Sequence, residues 1–339
     1  MRGALTRWLR ARTGALAGVP RRQPSWTRWV KGMLGVVVVG LSAYYLWRSI
    51  ALNMDQFDWH SLQLRPGLLF ASIGLTCLCV ALGGTVWQLL LAAFGQAIPL
   101  ETCLSIHTAS NLAKYLPGYA WQVMSKAYLT RREEVPPGII GLAMGLDFGC
   151  LLATGLVVAM LAMPPQATLP LIGAPPYWTR MTVAAVLALA LVALPRLLVL
   201  WGRYASARGL IGAAKAPRAS RLWAAVAVMA LAWILFGLGL GCIVQLVHPL
   251  TWAEWPIVLY ALTSSFVVSL LAVFVPGGLG VREGVMAYAL GTCLPGGLAA
   301  VSAVLSRLVL TLSEVLTFAL VWAWRTLRRR RNQSITRKN

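Results

Sequence analysis

Acid is the scarcest chemistry in this chain: nine Asp and Glu stand against thirty Lys and Arg in 339 residues. Charged residues of both signs make up only 12%, about half of what a soluble domain carries, which excludes a soluble globular enzyme of this length. Histidine is nearly missing, and His60, His107 and His248 stand far apart, so neither a Ser-His-Asp order nor a histidine metal cluster is written here. The six cysteines (Cys77, Cys79, Cys103, Cys150, Cys242 and Cys293) are scattered through apolar segments, where free Cys behaves as a small hydrophobe. Cys77-x-Cys79 has no second pair to complete a zinc site. The glycines of Pro276–Gly280 follow an apolar run, not the strand that a nucleotide-binding loop requires. We therefore expect no metal, no cofactor and no assigned catalytic residue.

Long apolar runs take the place of all this. Hydrophobic residues make up 59% of the chain and mean hydropathy is +0.72. A bilayer is crossed by about 20 helical residues at ~1.5 Å each. Runs of that order occupy 32–47, 67–94, 138–163, 179–201, 222–247, 256–275 and 297–324, and a shorter one occupies 281–294. No soluble domain of fifty residues fits between them. The expected fold is an all-α polytopic membrane protein of seven or eight transmembrane helices. Its expected divisions are a basic segment 1–31, one transmembrane domain 32–325 and a basic tail 326–339.

The net charge of +21 would point to nucleic acid in a soluble protein. Position decides otherwise. Eight Lys/Arg lie in 1–31, six in 196–221 and seven in 325–339, with Lys114, Lys126, Arg131 and Arg132 after the second run. The alternate loops hold Arg48, Arg65 and Arg180, and none lies in 248–255. This is the positive-inside pattern, which places both termini in the cytoplasm of an inner-membrane protein. The parity counts 281–294 as a crossing. The basic ends are expected to attract anionic lipid headgroups, and nucleic acid is not expected as a partner. Arg21-Arg22 precedes an apolar run as in a twin-arginine signal, but no small-residue cleavage site follows, so the run reads as an uncleaved helix.

Two Pro-Gly breaks interrupt the runs, at Pro117-Gly118 and at Pro276-Gly277-Gly278, with Gly280 close behind. Each is followed by a short stretch holding an Ala-Tyr pair, Ala127-Tyr128 and Ala287-Tyr288, and then by a charge in the next span, Asp147 and Arg307. The spacings from each proline are nearly equal, which reads as two diverged halves with broken, re-entrant helices. Backbone freed at membrane depth must face protein or a wet cavity, and a restarted helix offers bare N–H groups to an anion. Ionisable residues at that depth are costly, so Asp147, Arg282, Glu283, Arg307 and Glu314 are candidates for function. Arg307 and Glu314, two turns apart, share a helix face and address one cavity. Gly141, Gly145 and Gly149 form one stripe and Gly237 and Gly241 another, both read as close helix packing.

Pro276-Gly277-Gly278-Leu279-Gly280-Val281-Arg282-Glu283-Gly284, followed by Arg307 and Glu314, resembles the signature of the lysylphosphatidylglycerol synthase transmembrane-region family. Asn111-x-x-Lys114-Tyr115-Leu116-Pro117-Gly118 with Trp121-Gln122 resembles its first-half motif, and the resemblance spans about residues 30–325. It implies a flippase-like domain that moves lipids or lipid-linked groups between leaflets. On that reading Arg282, Lys126 and Arg307 neutralise a phosphate headgroup. Asp147, Glu283 and Glu314 balance charge or carry protons, and Trp121 and Tyr288 line the path. The partner is then a membrane lipid or lipid-linked anionic substrate, either a phospholipid or a polyprenyl-phosphate-linked molecule. Two alternatives stand beside it: an intramembrane transferase on a lipid carrier, and a non-catalytic partner of a separate synthase or glycosyltransferase. The sequence departs from the family where Tyr119-Ala120-Trp121-Gln122 replaces a Gly-Glu found in many members. The chain ends fourteen residues after Arg325, so the resemblance does not extend to lysyl-lipid synthesis.

Overall fold

A computed structural model describes residues 65–115, 120–165, 176–207, 217–272, 278, 280–294 and 297–336. The expected span 32–47 and the breaks Pro117, Gly118, Pro276 and Gly277 lie outside the described residues. Nine α-helices account for nearly all of the described chain: α1 Pro66–Ala93, α2 Leu100–Ala113, α3 Ala120–Arg131, α4 Pro137–Ala162, α5 Tyr177–Ala207, α6 Ala219–Val244, α7 Trp255–Leu271, α8 Val281–Leu290 and α9 Leu298–Thr336. Proline opens α1 and α4, where its missing N–H would have found no partner anyway. Five helices (α1, α4, α5, α6 and α9) are long and apolar enough to cross a membrane. The chain is a multi-pass membrane protein.

The directions of the helices follow from their hydrogen bonds. Ser72 Oγ donates to the Gly239 carbonyl at 2.8 Å, Cys79 Sγ to Ala232, and the Arg218 N–H to Ala93. Residue numbers thus rise on α1 as they fall on α6, and the two run antiparallel. Beside them α2 climbs α9 in the opposite sense. Its start meets the far end of α9 through Glu101–Arg328 and Thr102–Arg325, and its end meets the middle of α9 through Lys114–Glu314. The chain then turns back: Gln122 on α3 bonds to Asn111 on α2, and Lys126 reaches Asp147 on α4. The second half repeats this course. Trp255 and Leu259 of α7 lie against Gly241 and Gly237 of α6, so α7 runs back along α6. At its end α8 doubles back, with Arg282 stacked on Phe266 and Tyr288 within electrostatic reach of Tyr260.

This overturns the expectation that 281–294 crosses. α8 has ten residues and rises only about 15 Å, half of a ~30 Å hydrocarbon core. The apolar runs 256–275 and 281–294 supply the two arms of one hairpin, as α2 and α3 do in the first half. The exchange of α1–α4 with α6–α9 also holds in the packing. α2 packs on α9 as α7 packs on α4, α1 on α9 as α6 on α4, and α3 on α4 as α8 on α9. Because the exchanged helices α1 and α6 are antiparallel, the relating axis lies across the helices. That is the arrangement of inverted repeats. A hairpin leaves on the side it entered, so its arms add no net crossing.

Two hydrophobic cores form, and each draws on both halves. One joins α6, α7, α8 and α9 with the end of α4 around Phe236, Leu262, Met286 and Leu290; the other joins α1, α2 and α4 with the start of α6 around Trp87, Leu90, Leu91 and Ile106. α5 stays outside, with Val186, Leu189, Val192, Leu197 and Leu200 exposed as lipid contact demands. Gly237 and Gly241 pack as expected, since a Cβ at Gly241 would stand 2.2 Å from the Trp255 ring. The stripe Gly141, Gly145 and Gly149 does not. These residues are exposed and a Cβ on any of them would meet nothing within 4 Å, so among the described residues no helix packs against the stripe.

Candidate functional site

The inner ends of the two hairpins face each other across a cavity of about 130 Å³. Lys114 and Gln122 come from the first hairpin, Ser269, Gly278 and Arg282 from the second, and Arg307 from α9. The rest of the wall is apolar: Phe148, Leu151 and Leu152 of α4, Trp233 of α6, and Phe266, Val267 and Leu270 of α7. Three cations thus line it and, among the described residues, no carboxylate does.

Local structure explains the second hairpin's contribution. Gly278 and Gly280 have φ of 65° and 80°, which L side chains rarely adopt. A Cβ at Gly278 would also stand 1.9 Å from Ser269 Oγ, so the return of the chain needs a bare backbone there. α8 then starts with Glu283 folded back on its own first turn, Oε2 accepting the Gly280 N–H at 2.6 Å. Negative charge at that end also suits the helix dipole.

Arg282 follows directly. It is 4% exposed, its guanidinium lies 3.4 Å over the Phe266 ring, and Phe236 flanks it at 5.6 Å. The aromatic faces supply cation–π contact. Arg282 makes none of the ion pairs among the described residues, and its Nη2 is buried with no hydrogen-bond partner.

The other ionisable residues form three pairs. Lys126 Nζ lies 2.5 Å from Asp147 Oδ2 and over the Trp87 ring at 4.1 Å, tying α3 to α4. Glu283 Oε1 faces Arg307 at 3.6 Å, a Coulombic contact too long for a hydrogen bond, and ties α8 to α9. These two pairs occupy equivalent places in the two halves, with the charges reversed. The third joins the halves: Glu314 takes Lys114 at one oxygen and the Tyr115 hydroxyl at the other, 2.8 Å away.

Of the residues marked out in the sequence, Arg282 and Arg307 line the cavity, and Glu283 and Glu314 lie behind it holding Arg307 and Lys114. Lys126 and Asp147 are joined to each other, and neither is part of the cavity wall. Arg307 and Glu314 share a helix face as expected, yet each has a separate partner and only Arg307 reaches the cavity. Trp121 and Tyr288 are 48% and 59% exposed and stand outside the wall. Gly278 and Gly280 shape the second turn. Sequence reasoning had placed Lys114 and Gln122 within a motif without giving them a role in the site. Lys114 had a signal of its own, a cation three residues before a break, but its carboxylate lies two hundred residues away. Among the described residues no group of His, Cys, Asp and Glu has the makings of a metal site.

Inverted helical hairpins meeting at a cation-lined cavity define the class: a polytopic α-helical membrane protein with a cavity between its two halves. A family model described as the lysylphosphatidylglycerol synthase TM region matches residues 29–316, and the chain belongs to that family. No curated protein matches the chain.

Proposed function

We propose that this protein moves the headgroup of an anionic lipid or lipid-linked molecule between leaflets, with the cavity between the hairpins as its binding site. Arg282 carries the argument: a buried guanidinium with an unsatisfied N–H, on the wall of a cavity that no carboxylate lines among the described residues. A buried charge whose neighbouring carboxylates, Glu283 and Glu314, are already paired with other cations is costly, and a transiently bound anion supplies what is missing. The surrounding charges agree. Lys114, Lys126, Arg282 and Arg307 against Asp147, Glu283 and Glu314 leave four minus three, a net +1.

The apolar wall suits the first carbons of an acyl or prenyl chain, with the charged head among Lys114, Arg282 and Arg307. Inverted halves give a route for transport, since rocking one half against the other opens a central site to each side in turn. The transferase reading draws less support from the described residues. A general base must reach its acceptor, and Asp147, Glu283 and Glu314 are engaged with cations and absent from the wall. The end of the bundle that gathers Arg218, Arg325 and Arg328 is the cytoplasmic one on the positive-inside rule.

The test is reconstitution in vesicles with a fluorescent anionic phospholipid, reading its transfer between leaflets by quencher accessibility. Wild type accelerates transfer, and Arg282→Gln loses about 10- to 100-fold of the gain, as expected for one hydrogen bond to a charged group. Equal rates in wild type, Arg282→Gln and protein-free vesicles would refute the reading.

A further inference from the structure

The cavity wall holds one neutral polar residue whose surroundings are more elaborate than a wall requires. Gln122 Nε2 donates to Asn111 Oδ1 at 3.0 Å, and Asn111 Nδ2 donates to His107 Nε2 at 3.2 Å. His107 sits tightly against α1 at Gly83, where a Cβ would stand 2.4 Å from Nε2. Three side chains on two helices thus form a chain running from α1 to the cavity.

The polarity of that chain is fixed only by where the histidine proton lies. Nε2 accepts from Asn111, so the ring proton is on Nδ1. A partner on the second ring nitrogen normally locks the tautomer. Here Nδ1 is buried and has no partner, so the lock is missing. With the proton on Nε2 instead, both amides turn over. Nε2 then donates to Asn111 Oδ1, Asn111 Nδ2 donates to Gln122 Oε1, and the Gln122 N–H pair is released. Each arrangement makes the same number of hydrogen bonds along the chain, and each leaves Nδ1 unpartnered.

What distinguishes them is the cavity. In the observed arrangement the end of the Gln122 amide turned away from Asn111 is the carbonyl oxygen, which suits a wall shared with Lys114, Arg282 and Arg307. An anion among those cations reverses the preference, because a carbonyl dipole aimed at it repels and an N–H attracts. We propose that His107, Asn111 and Gln122 are a reversible amide relay: Gln122 offers its carbonyl to the cations of the empty cavity and an N–H to a bound anion. The proton balance is neutral, one proton leaving Nδ1 and one arriving at Nε2. Gln122 is the ligand-contacting member, and Asn111 and His107 are positioning residues. The ligand is an oxyanion, a phosphate or a carboxylate. The relay rests on the anion-site reading given above.

The experiment is ¹⁵N NMR of the full chain in detergent, histidine-labelled, with His107 assigned through His107→Gln. The probes are inorganic phosphate and dihexanoyl phosphatidylglycerol, with binding measured separately by calorimetry. On saturation the His107 signals move from the Nδ1–H to the Nε2–H pattern. Gln122→Leu abolishes that change and weakens binding about tenfold, as for one lost hydrogen bond. A response to both probes shows that the anion suffices, and a response to the lipid alone assigns the ligand to the membrane. A probe that binds while the wild-type His107 tautomer stays unchanged overturns the relay and leaves the anion site standing. Failure of both probes to bind overturns the anion site itself. The wild-type spectrum decides between these outcomes even where Gln122→Leu fails to fold.

Discussion

Separating Lys126 from Asp147 tests whether a buried ion pair clamps the first hairpin to α4. The two side chains are 7% and 16% exposed, with Nζ and Oδ2 2.5 Å apart. Removing one partner of a buried pair costs about 3–5 kcal/mol, because the other charge is left in low dielectric. The residues differ in what remains to each. After Asp147→Leu the ammonium keeps the Trp87 ring at 4.1 Å, worth about 0.5–2 kcal/mol, which brings the net cost to roughly 1–4.5 kcal/mol. After Lys126→Met the carboxylate keeps no hydrogen bond among the described residues, so the cost stays near the full ~3–5 kcal/mol. The double variant removes both charges and falls within about 1–2 kcal/mol of wild type, since an apolar pair of similar volume often replaces a buried ion pair at little cost. Unfolding of the four proteins by SDS titration in mixed micelles gives the cycle. Single variants each within 1 kcal/mol of wild type would refute the clamp. So would a double variant whose loss equals the sum of the two.

Gly278→Ala disrupts the second hairpin, because positive φ and the Ser269 contact both oppose a side chain, whereas Gly145→Ala is neutral within about 0.5 kcal/mol. Melting temperatures of the purified variants test the contrast. Gly241→Ala falls on the destabilised side, since the Trp255 ring fills the space a Cβ would take. Glu314→Gln keeps an acceptor for Tyr115 but removes the charge that holds Lys114, so it loosens the contact between α2 and α9. A lower rate of disulfide formation between cysteines placed on the facing surfaces of α2 and α9 reports that movement. Outside the membrane-spanning helices, the Thr251 N–H and hydroxyl both bond to Glu254 Oε2 and hold its carboxyl below the usual glutamate range. The lowered value means that this turn is intact above the ordinary glutamate pKa and lost as pH falls through the depressed one. Amide exchange at Thr251, corrected for its intrinsic pH dependence, should lose its protection only on that descent.

The amino-acid sequence by itself determined the membrane class and the approximate positions of the long helices. A bilayer core admits only backbone that satisfies its own hydrogen bonds, so twenty apolar residues in a row have almost one outcome. It also marked Gly278 and Gly280 of the second turn, since Gly acts locally, and it marked Arg282 and Arg307 because charge is rare in apolar runs. The tertiary structure alone decided the rest. Whether Trp255–Leu271 crosses or turns back depends on where α8 packs, and hydropathy is the same in either case. The open face of Gly145 and the filled one of Gly241 follow one spacing rule and differ only in what stands opposite. Lys114 with Glu314 and Lys126 with Asp147 are pairings among several that the charges allow, fixed by the approach of helices far apart in the chain. Arg282 stands out for the same reason: its sequence shows a cation, and only the packing shows that among the described residues no carboxylate comes within ion-pair distance of it.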